Sequence, residues 1–271
     1  MQIPSEPIRD VSTSAVTTHA GLVFHSIPQK PELSTSSFSQ KKFAQLIHRF
    51  AESKISGTSI ENHLRHSSAR SSQCVLTFDD GFENVYENAL PILRKHDMTA
   101  TVFAVAGSIG QRAAWDVFGW RHHMTGEQLR SIVAAGFEVG SHTLTHADLT
   151  FLDNKDLQSE LTESKNILEQ TIGKAVTTIS FPFGKWNDRV WHAVQKAGYL
   201  TATIYRGHTR ASAERIPVTG VYAFESVEDI AELVLRTGNP VIRNLLEATH
   251  RLMPQFSQGT ALWNFRKNYH L

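Results

Sequence analysis

The amino-acid sequence predicts an α/β protein built from parallel βαβ units. Short apolar strand segments alternate with helical segments along most of the chain, an order typical of a parallel sheet. About seven strands are expected in one domain, and this number favours a closed or nearly closed barrel over an open sheet, although the period alone does not decide. Several predicted strands end in polar side chains, which a parallel barrel would gather on one rim.

Each predicted element has a local signal. Apolar side chains recur at helical spacing in residues 38–51, and Thr125 begins a helix with Glu127 and Gln128 in its first turn. Residues 53–73 are polar and rich in serine, so they are predicted to be a surface loop. The predicted strands are 22–27, 74–78, 99–106, 137–140, 177–181, 201–205 and 216–222. The predicted helices are 38–51, 85–94, 125–135, 157–172, 188–197 and 227–235.

The composition is that of a globular protein with a sizeable core. Of the 271 residues, 41% are hydrophobic and 20% charged. Lys and Arg total 27 against 26 for Asp and Glu, so a general attraction to nucleic acid is not expected. Cys74 is the single cysteine of the sequence, which excludes an internal disulfide or a cysteine-based metal cluster.

Three segments are expected along the chain. Residues 1–18 are polar, lack an apolar signal segment, and are predicted to be a poorly ordered lead-in. Residues 19–239 should form the barrel, and residues 240–271 a C-terminal helix and tail that pack against it. No stretch approaches the roughly 18 apolar residues of a membrane span. A cytoplasmic location is expected, or a periplasmic or secreted one if the N-terminus was trimmed.

The run from Val75 to Gly81 carries the strongest chemical signal. Its apolar residues end in two adjacent carboxylates, Asp79 and Asp80, and crowding two carboxylates is unfavourable unless a cation or proton lies between them. His142 and His146 are spaced so that a helical turn would place both imidazoles on one face. One carboxylate and two histidines form a three-ligand set with an open position, as in catalytic zinc sites.

Two further strand ends point to the same rim. His25 lies near the end of the first predicted strand, and Phe181-Pro182-Phe183-Gly184 follows another. Taken singly, an Asp-Asp-Gly can be a simple turn and a histidine pair can be a solvated helix face. Their convergence at the strand ends of one βα array favours the metal site.

These residues resemble the motifs of the polysaccharide deacetylase (NodB-homology) superfamily. Thr77–Gly81 is similar to its first motif, Ser141–His146 to its His-Ser/Thr-x-x-His motif and Phe181–Gly184 to its third motif. Phe24-His25, followed by Phe38-Ser39 and Phe43, resembles the subgroup that deacetylates poly-N-acetylglucosamine exopolysaccharides. The resemblance covers roughly residues 20–225 and implies a distorted (β/α)7 barrel with metal-dependent amide hydrolysis.

The resemblance also implies a role for each site residue. Asp80, His142 and His146 would be the metal ligands, with Zn²⁺ as the default ion, and Asp79 the general base. His25 would protonate the departing amine, and the backbone N–H of Phe183 would stabilise the oxyanion together with the metal.

Three residues are predicted to bind substrate: Pro182 within the turn, Trp115 in a loop that could line a sugar cleft, and Arg215. Arg215 resembles an arginine of the exopolysaccharide subgroup that would orient Asp79, and a surface salt bridge is its equal alternative. The arginine often found before the third motif, and the Asp-x-x-Asp-Trp fourth motif, are absent from the sequence.

The predicted function is removal of acetyl groups from an N-acetylated sugar, in an N-acetylglucosamine polysaccharide or a precursor of one. No nucleic-acid partner is expected, and the sequence does not predict an oligomeric state. One alternative is a ring-opening amidase or imidase that works without metal on the same barrel. The other is an inactive carbohydrate-binding relative, which the intact Asp79, Asp80, His142 and His146 argue against.

Overall fold

The computed structural model describes residues 21–30, 32, 34–66, 73–113, 121–205, 212 and 214–235. Eight strands lie in these ranges: β1 (Gly21–Phe24), β2 (Ser56–Thr58), β3 (Gln73–Phe78), β4 (Thr101–Ala104), β5 (Glu138–Ser141), β6 (Thr178–Ser180), β7 (Thr201–Tyr205) and β8 (Arg215–Gly220). The same ranges hold eight α-helices: α1 (Gln40–Glu52), α2 (Ile60–Arg65), α3 (Glu83–Asn88), α4 (Leu90–Lys95), α5 (Gly126–Ala134), α6 (Asn154–Ile172), α7 (Asp188–Lys196) and α8 (Val227–Leu235). Within this described part, none of the helices combines the length and apolar character that a membrane crossing needs.

Seven parallel strands close into a barrel. The order runs β1-β8-β7-β6-β5-β4-β3, and β1 also pairs with β3, which closes the ring. At the closure Leu22 lies beside Leu76 of β3 and Thr219 of β8. The short β2 pairs with the first half of β3, from Gln73 to Val75, where β4 has not yet begun. The predicted (β/α)7 barrel is therefore confirmed.

Alternation along the strands produces two separate cores. Phe24 and Phe78, on neighbouring strands, turn outward and pack on Phe43 of α1, with ring centroids 5.2 and 5.8 Å from that ring. Strand residues of the opposite alternation phase turn inward. Among them, Val75 and Phe103 form a cluster with Ile60 and Ile216. Burial of each side chain of this size stabilises the folded state by about 1.5–3 kcal/mol. Asp79 and His25 share this inward phase at the carboxyl end of their strands.

Helix boundaries follow the capping residues. Asp153 accepts a hydrogen bond from the Asp156 N–H, so α6 begins three residues before the predicted start, and it ends at Gly173 in a left-handed conformation. Thr125 and Gln128 form a reciprocal capping box on α5. The single helix predicted at 85–94 is two helices, α3 and α4. Pro91 has no N–H to donate a hydrogen bond to the preceding turn, so α3 ends before it and Pro91 lies in the first turn of α4.

The prediction of a surface loop at 53–73 is wrong for its first half. Strand β2 and helix α2 lie there, and Ile60 is completely buried in the inner cluster. Both elements are too short to show a hydrophobic period. The segments predicted at 1–18 and 240–271 lie outside the described residues, as does Trp115.

Candidate active site

A left-handed turn at the end of β3 separates the two adjacent carboxylates. Asp80 and Gly81 have φ of 70° and 67°, a conformation that Asp and Gly tolerate better than most residues. A Cβ on Gly81 would lie 3.0 Å from the Cα of Ala104, so the turn has no room for a side chain there. Asp79 reaches across the barrel to Ser180, while Asp80 lies against two imidazoles.

The loop after β5 carries both histidines, and it is not the helical turn that their spacing predicts. Thr143 and His146 are left-handed, with φ of 66° and 60°, and two such residues fold the loop back on itself. Glu160 of α6 holds this conformation, because its carboxylate accepts the N–H groups of Leu144 and Thr145 at 2.9 and 3.0 Å, and also the Thr145 hydroxyl. The two imidazole centroids lie 5.0 Å apart as a result.

Asp80, His142 and His146 form a buried donor set. Oδ1 of Asp80 lies 3.6 Å from Nε2 of His142 and 3.3 Å from Nε2 of His146, and one ligand atom from each residue falls within 4.8 Å of the others. Oδ1 accepts no hydrogen bond from a described residue. Nδ1 of His142 donates to the Ser180 carbonyl at 3.0 Å, which leaves Nε2 with its lone pair toward the centre.

The charge state of this set suits a cation. Burial, followed by the charge of His146, lowers the pKa of His142 to about 3, so its imidazole is neutral. Burial alone would raise the pKa of Asp80, but its interactions with His146, His25 and His142 outweigh burial and hold that pKa well below its usual range. The neutral His142 imidazole, the His146 imidazole and the Asp80 carboxylate, whose Oδ1 faces both rings, are a chemical fit for a divalent metal such as zinc.

Asp79 has a different environment from its neighbour. Its Oδ2 accepts a hydrogen bond from the Ser180 hydroxyl at 3.0 Å, whereas its buried Oδ1 has no partner among the described residues. Burial and the adjacent Asp80 charge raise the pKa of Asp79 well above its ordinary value. Asp79 is therefore a strongly basic carboxylate with one oxygen still able to accept a proton.

His25 follows β1 directly and lies on the same rim. Its Nδ1 is buried without a hydrogen-bond partner in the described part of the chain. Burial lowers the pKa of His25, the Asp80 carboxylate opposes this, and the charges of His146 and Arg121 add to the lowering. A protonated His25 would therefore release its proton readily.

The third motif forms a tight 3-10 turn beside the histidines. Phe183 occupies a left-handed conformation with φ of 61°, and its ring packs edge-on against His146 at 4.8 Å. Non-glycine residues with such φ values cluster at functional sites. Pro182 is buried inside the turn and shapes its backbone, and the predicted contact of Pro182 with substrate stays a prediction.

Comparison with known sequences places this arrangement in a family. A polysaccharide deacetylase profile matches residues 66–202, a span that contains both aspartates and both histidines. The chain belongs to the polysaccharide deacetylase family.

Two relatives and one solved structure show the extent of the similarity. Bacillus subtilis YxkH is 31% identical over 179 residues, which are 66% of this chain and 61% of YxkH. A poly-β-1,6-N-acetyl-D-glucosamine N-deacetylase of Staphylococcus aureus is 29% identical over 132 residues, 45% of this chain and 44% of the relative. The chain thus spans roughly half the length of these curated relatives. Streptococcus pyogenes deacetylase PplD, solved with acetate, has a TM-score of 0.68 at 20% identity over 82% of this chain and 98% of PplD, which shows the shared fold.

Arg215 lies away from the position predicted for it beside Asp79. It is the first residue of β8, and its guanidinium carbon lies 5.8 Å from the Trp186 ring centroid and 5.6 Å from that of Trp191. No hydrogen bond or ion pair joins it to Asp79 in the described ranges. Ile216 next to it faces the inner cluster, so alternation turns Arg215 outward toward α7. In the structure Arg215 therefore contacts Trp186 and Trp191 and not Asp79, and its predicted role in substrate binding stays a prediction.

Sequence reasoning did not predict the observed contacts of four polar residues around the candidate site. They are Ser180, which serves both Asp79 and His142; Glu160, which holds the histidine loop; His123, whose Nδ1 donates to the Asp80 carbonyl at 2.8 Å; and Tyr205, whose ring lies against the third motif. A polar residue on a strand or helix gives no pattern of its own, and only the closed barrel brings these side chains together.

Proposed function

We propose that this chain is a metal-dependent hydrolase that removes the acetyl group from N-acetylglucosamine units of a saccharide. One observation carries the proposal: Asp79 and Asp80 are adjacent in sequence yet separated in environment. Asp80 lies beside two imidazoles, and Asp79 has a strongly basic carboxylate with one oxygen that has no partner among the described residues. The Staphylococcus aureus relative, named for deacetylation of poly-β-1,6-N-acetyl-D-glucosamine, supports this substrate class.

Asp80, His142 and His146 would hold the metal, with zinc as the proposed ion. When bound there, a divalent metal supplies Lewis acidity that polarises the acetyl carbonyl and lowers the pKa of water. The chain supplies the rest of the chemistry. Nδ1 of His142 is fixed by the Ser180 carbonyl and the histidine loop by Glu160, so the ligands are held in place before the ion arrives.

Asp79 would act as the general base. Its Oδ2 is oriented by the Ser180 hydroxyl, and Oδ1 would take a proton from the water that attacks the acetyl carbon. Its raised pKa lies closer to neutral pH than that of an ordinary aspartate, and a general base is most effective when its pKa is near the working pH. The left-handed turn at Asp80 and Gly81 keeps the two carboxylates in separate roles.

His25 and Phe183 would complete the reaction. Protonated His25 would donate its proton to the amine nitrogen as the C–N bond breaks, which makes the sugar amine a good leaving group. The Phe183 N–H, set by its left-handed conformation, would donate to the carbonyl oxygen as negative charge develops on it. Both groups lie on the same barrel rim as Asp79.

The proposal is tested by acetate release from N-acetylglucosamine oligomers, together with the metal content of the purified protein. We expect about one equivalent of metal, loss of turnover on chelation, and recovery on adding Zn²⁺. Turnover that ignores a chelator would instead favour the metal-independent amidase. Bound oligomer without acetate release in the metal-loaded protein would favour a sugar-binding protein. His25→Gln with undiminished turnover would remove His25 as the acid.

A further inference from the structure

We infer that the Tyr205 hydroxyl binds the sugar unit whose acetyl group is removed, by donating a hydrogen bond to an oxygen of that unit. This makes Tyr205 a specificity-determining residue for saccharide substrates. The inference rests on the proposed deacetylase function and adds to it a contact with the sugar itself.

The fold places Tyr205 at the rim of the site. It is the last residue of β7, at the carboxyl end of the barrel where Asp79 and His25 also lie. Its ring packs closely on the turn of the third motif: a Cβ added to Gly184 would lie 2.2 Å from Cδ2 of the ring. Gly184 directly follows Phe183, so the ring borders the backbone that is proposed to face the substrate.

The surroundings of Tyr205 keep its hydroxyl protonated. Burial raises the pKa of Tyr205 well above its ordinary value, and the charges of Tyr222, Asp79 and Asp80 raise it further. Tyr205 is therefore a neutral phenol at neutral pH. A neutral phenol is a hydrogen-bond donor, suited to the hydroxyl and ring oxygens of a sugar.

The hydroxyl of Tyr205 has no protein partner in the described part of the chain, and the residue remains partly accessible. Tyr199 shows the ordinary alternative. Its hydroxyl lies outside the barrel, donates to the Leu161 carbonyl at 3.1 Å and pairs with the Ser164 hydroxyl at 3.1 Å. The Tyr205 hydroxyl has no such bond to a described residue and belongs to a partly accessible side chain, so it is available to a ligand at this rim.

The position of Tyr205 favours the sugar over the acetyl group. The histidine loop follows β5, whereas Tyr205 ends β7, with β6 and its Pro-Phe-Gly turn between them. The acetyl carbonyl is proposed to lie between the metal ligands and the Phe183 N–H. Because the Tyr205 ring lies against Gly184 and its strand is two places from the strand before the histidine loop, we assign its hydroxyl to the sugar and not to the acetyl group.

The experiment compares Tyr205→Phe with Tyr199→Phe on two substrates. Tyr205→Phe keeps the ring against Gly184 and removes only the hydroxyl, and Tyr199→Phe removes a hydroxyl that lies outside the barrel and bonds to α6. One substrate is an N-acetylglucosamine oligomer and the other is 4-nitrophenyl acetate, which has an acetyl group but no sugar. We expect Tyr205→Phe to lower kcat/KM on the oligomer about 3- to 10-fold, mainly through KM, as the loss of one hydrogen bond would do. Turnover of 4-nitrophenyl acetate should not change, and Tyr199→Phe should match wild type on both substrates.

Equal losses on both substrates would overturn the inference, because Tyr205 would then only support the turn, and so would an unchanged KM on the oligomer. Binding gives a second readout that needs no turnover: in an Asp79→Asn background, Tyr205→Phe should weaken oligomer affinity by the same factor. A wild-type protein that releases no acetate from the oligomer would reject the proposed function, a result distinct from a failure confined to Tyr205→Phe.

Discussion

Carboxylates are buried at both ends of the barrel, but the two ends differ in how many hydrogen bonds these carboxylates accept. At the amino end, Glu138 of β5 accepts hydrogen bonds from the Thr101 hydroxyl at 2.7 Å, the Thr178 hydroxyl at 2.9 Å and the Glu61 N–H at 2.9 Å. At the carboxyl end, Asp79 and Asp80 each keep one buried oxygen without a hydrogen-bond partner in the described residues.

This difference separates structural from functional burial. A buried carboxylate whose lone pairs are occupied ties elements together, and Glu138 joins three strands to α2. A buried carboxylate with an empty lone pair is destabilising by itself, since an unpaired polar group loses its hydration without compensation. Such a group persists where a ligand or a proton completes it. The contrast predicts that mutations at the carboxyl end affect chemistry and those at the amino end affect stability.

The largest expected effect is that of Asp79→Asn on turnover. Asparagine keeps the shape and the Ser180 contact but cannot accept the proton, so acetate release should fall about 10²- to 10⁴-fold. The free energy of unfolding should stay the same or rise, because the change removes a buried charge. Steady-state acetate release and urea unfolding measure the two effects. An unchanged rate would refute Asp79 as the base.

The next effect is at the opposite end of the barrel. Glu138→Ala leaves two threonine hydroxyls and the Glu61 N–H without an acceptor, so the free energy of unfolding should fall by about 2–4 kcal/mol. Urea unfolding measures the loss, and metal content per folded molecule should be unchanged. Glu138→Gln is the matched control, since it keeps one acceptor oxygen and should lose less. Metal loss in Glu138→Ala would show that the two ends are not independent.

A smaller effect is expected where structure supports chemistry. Glu160→Ala frees the histidine loop, because the Leu144 and Thr145 N–H groups lose their acceptor. Metal affinity should fall about 10- to 100-fold, as is usual when a residue behind a ligand is removed. A competition titration against a chelator gives the affinity. Glu160→Gln should recover part of it, and wild-type affinity in Glu160→Ala would mean that the loop holds its conformation without this carboxylate.

The smallest effect is a pH dependence at the amino end. Burial raises the pKa of Glu138 above its ordinary 4.5, and its hydrogen bonds from Thr101, Glu61 and Thr178 offset this only in part. At a pH between the unfolded and the folded pKa, Glu138 is therefore protonated in the folded protein and ionised in the unfolded chain. Stability from this group is complete below pH 4.5 and is lost as pH rises through the folded pKa. The unfolding free energy of wild type relative to Glu138→Gln should fall with rising pH. If the difference in unfolding free energy between wild type and Glu138→Gln rises with pH instead, the pKa of Glu138 is lowered by folding and the prediction is wrong.

The alternation of strands and helices predicted a parallel α/β domain, and the resemblance of its motifs to a known family predicted the closed barrel. Periodicity alone located most helices within a few residues, since α6 and α7 bury regular apolar stripes. The strand ends at Asp79 and His142 could be assigned to one rim because parallel strands share a direction.

Other features depend on backbone angles and distant contacts that a sequence does not display. The i, i+4 spacing of His142 and His146 fits a helix, and it fits equally a loop with left-handed residues at 143 and 146. Arg215 could not be assigned to the outer face of β8 until Ile216 was seen in the inner cluster. Glu138 gives no signal as a residue of a short strand, because its donors lie 37 to 77 residues away along the chain.

The central claim, that the adjacent aspartates have separate roles, is tested most directly by zinc titration of chelator-treated wild type, Asp79→Asn and Asp80→Asn. Calorimetry should show one equivalent of Zn²⁺ bound by wild type and by Asp79→Asn, with similar affinity, and binding lost or greatly weakened in Asp80→Asn. Equal loss of zinc in both variants, or full binding by Asp80→Asn, would contradict the separation of roles between Asp79 and Asp80.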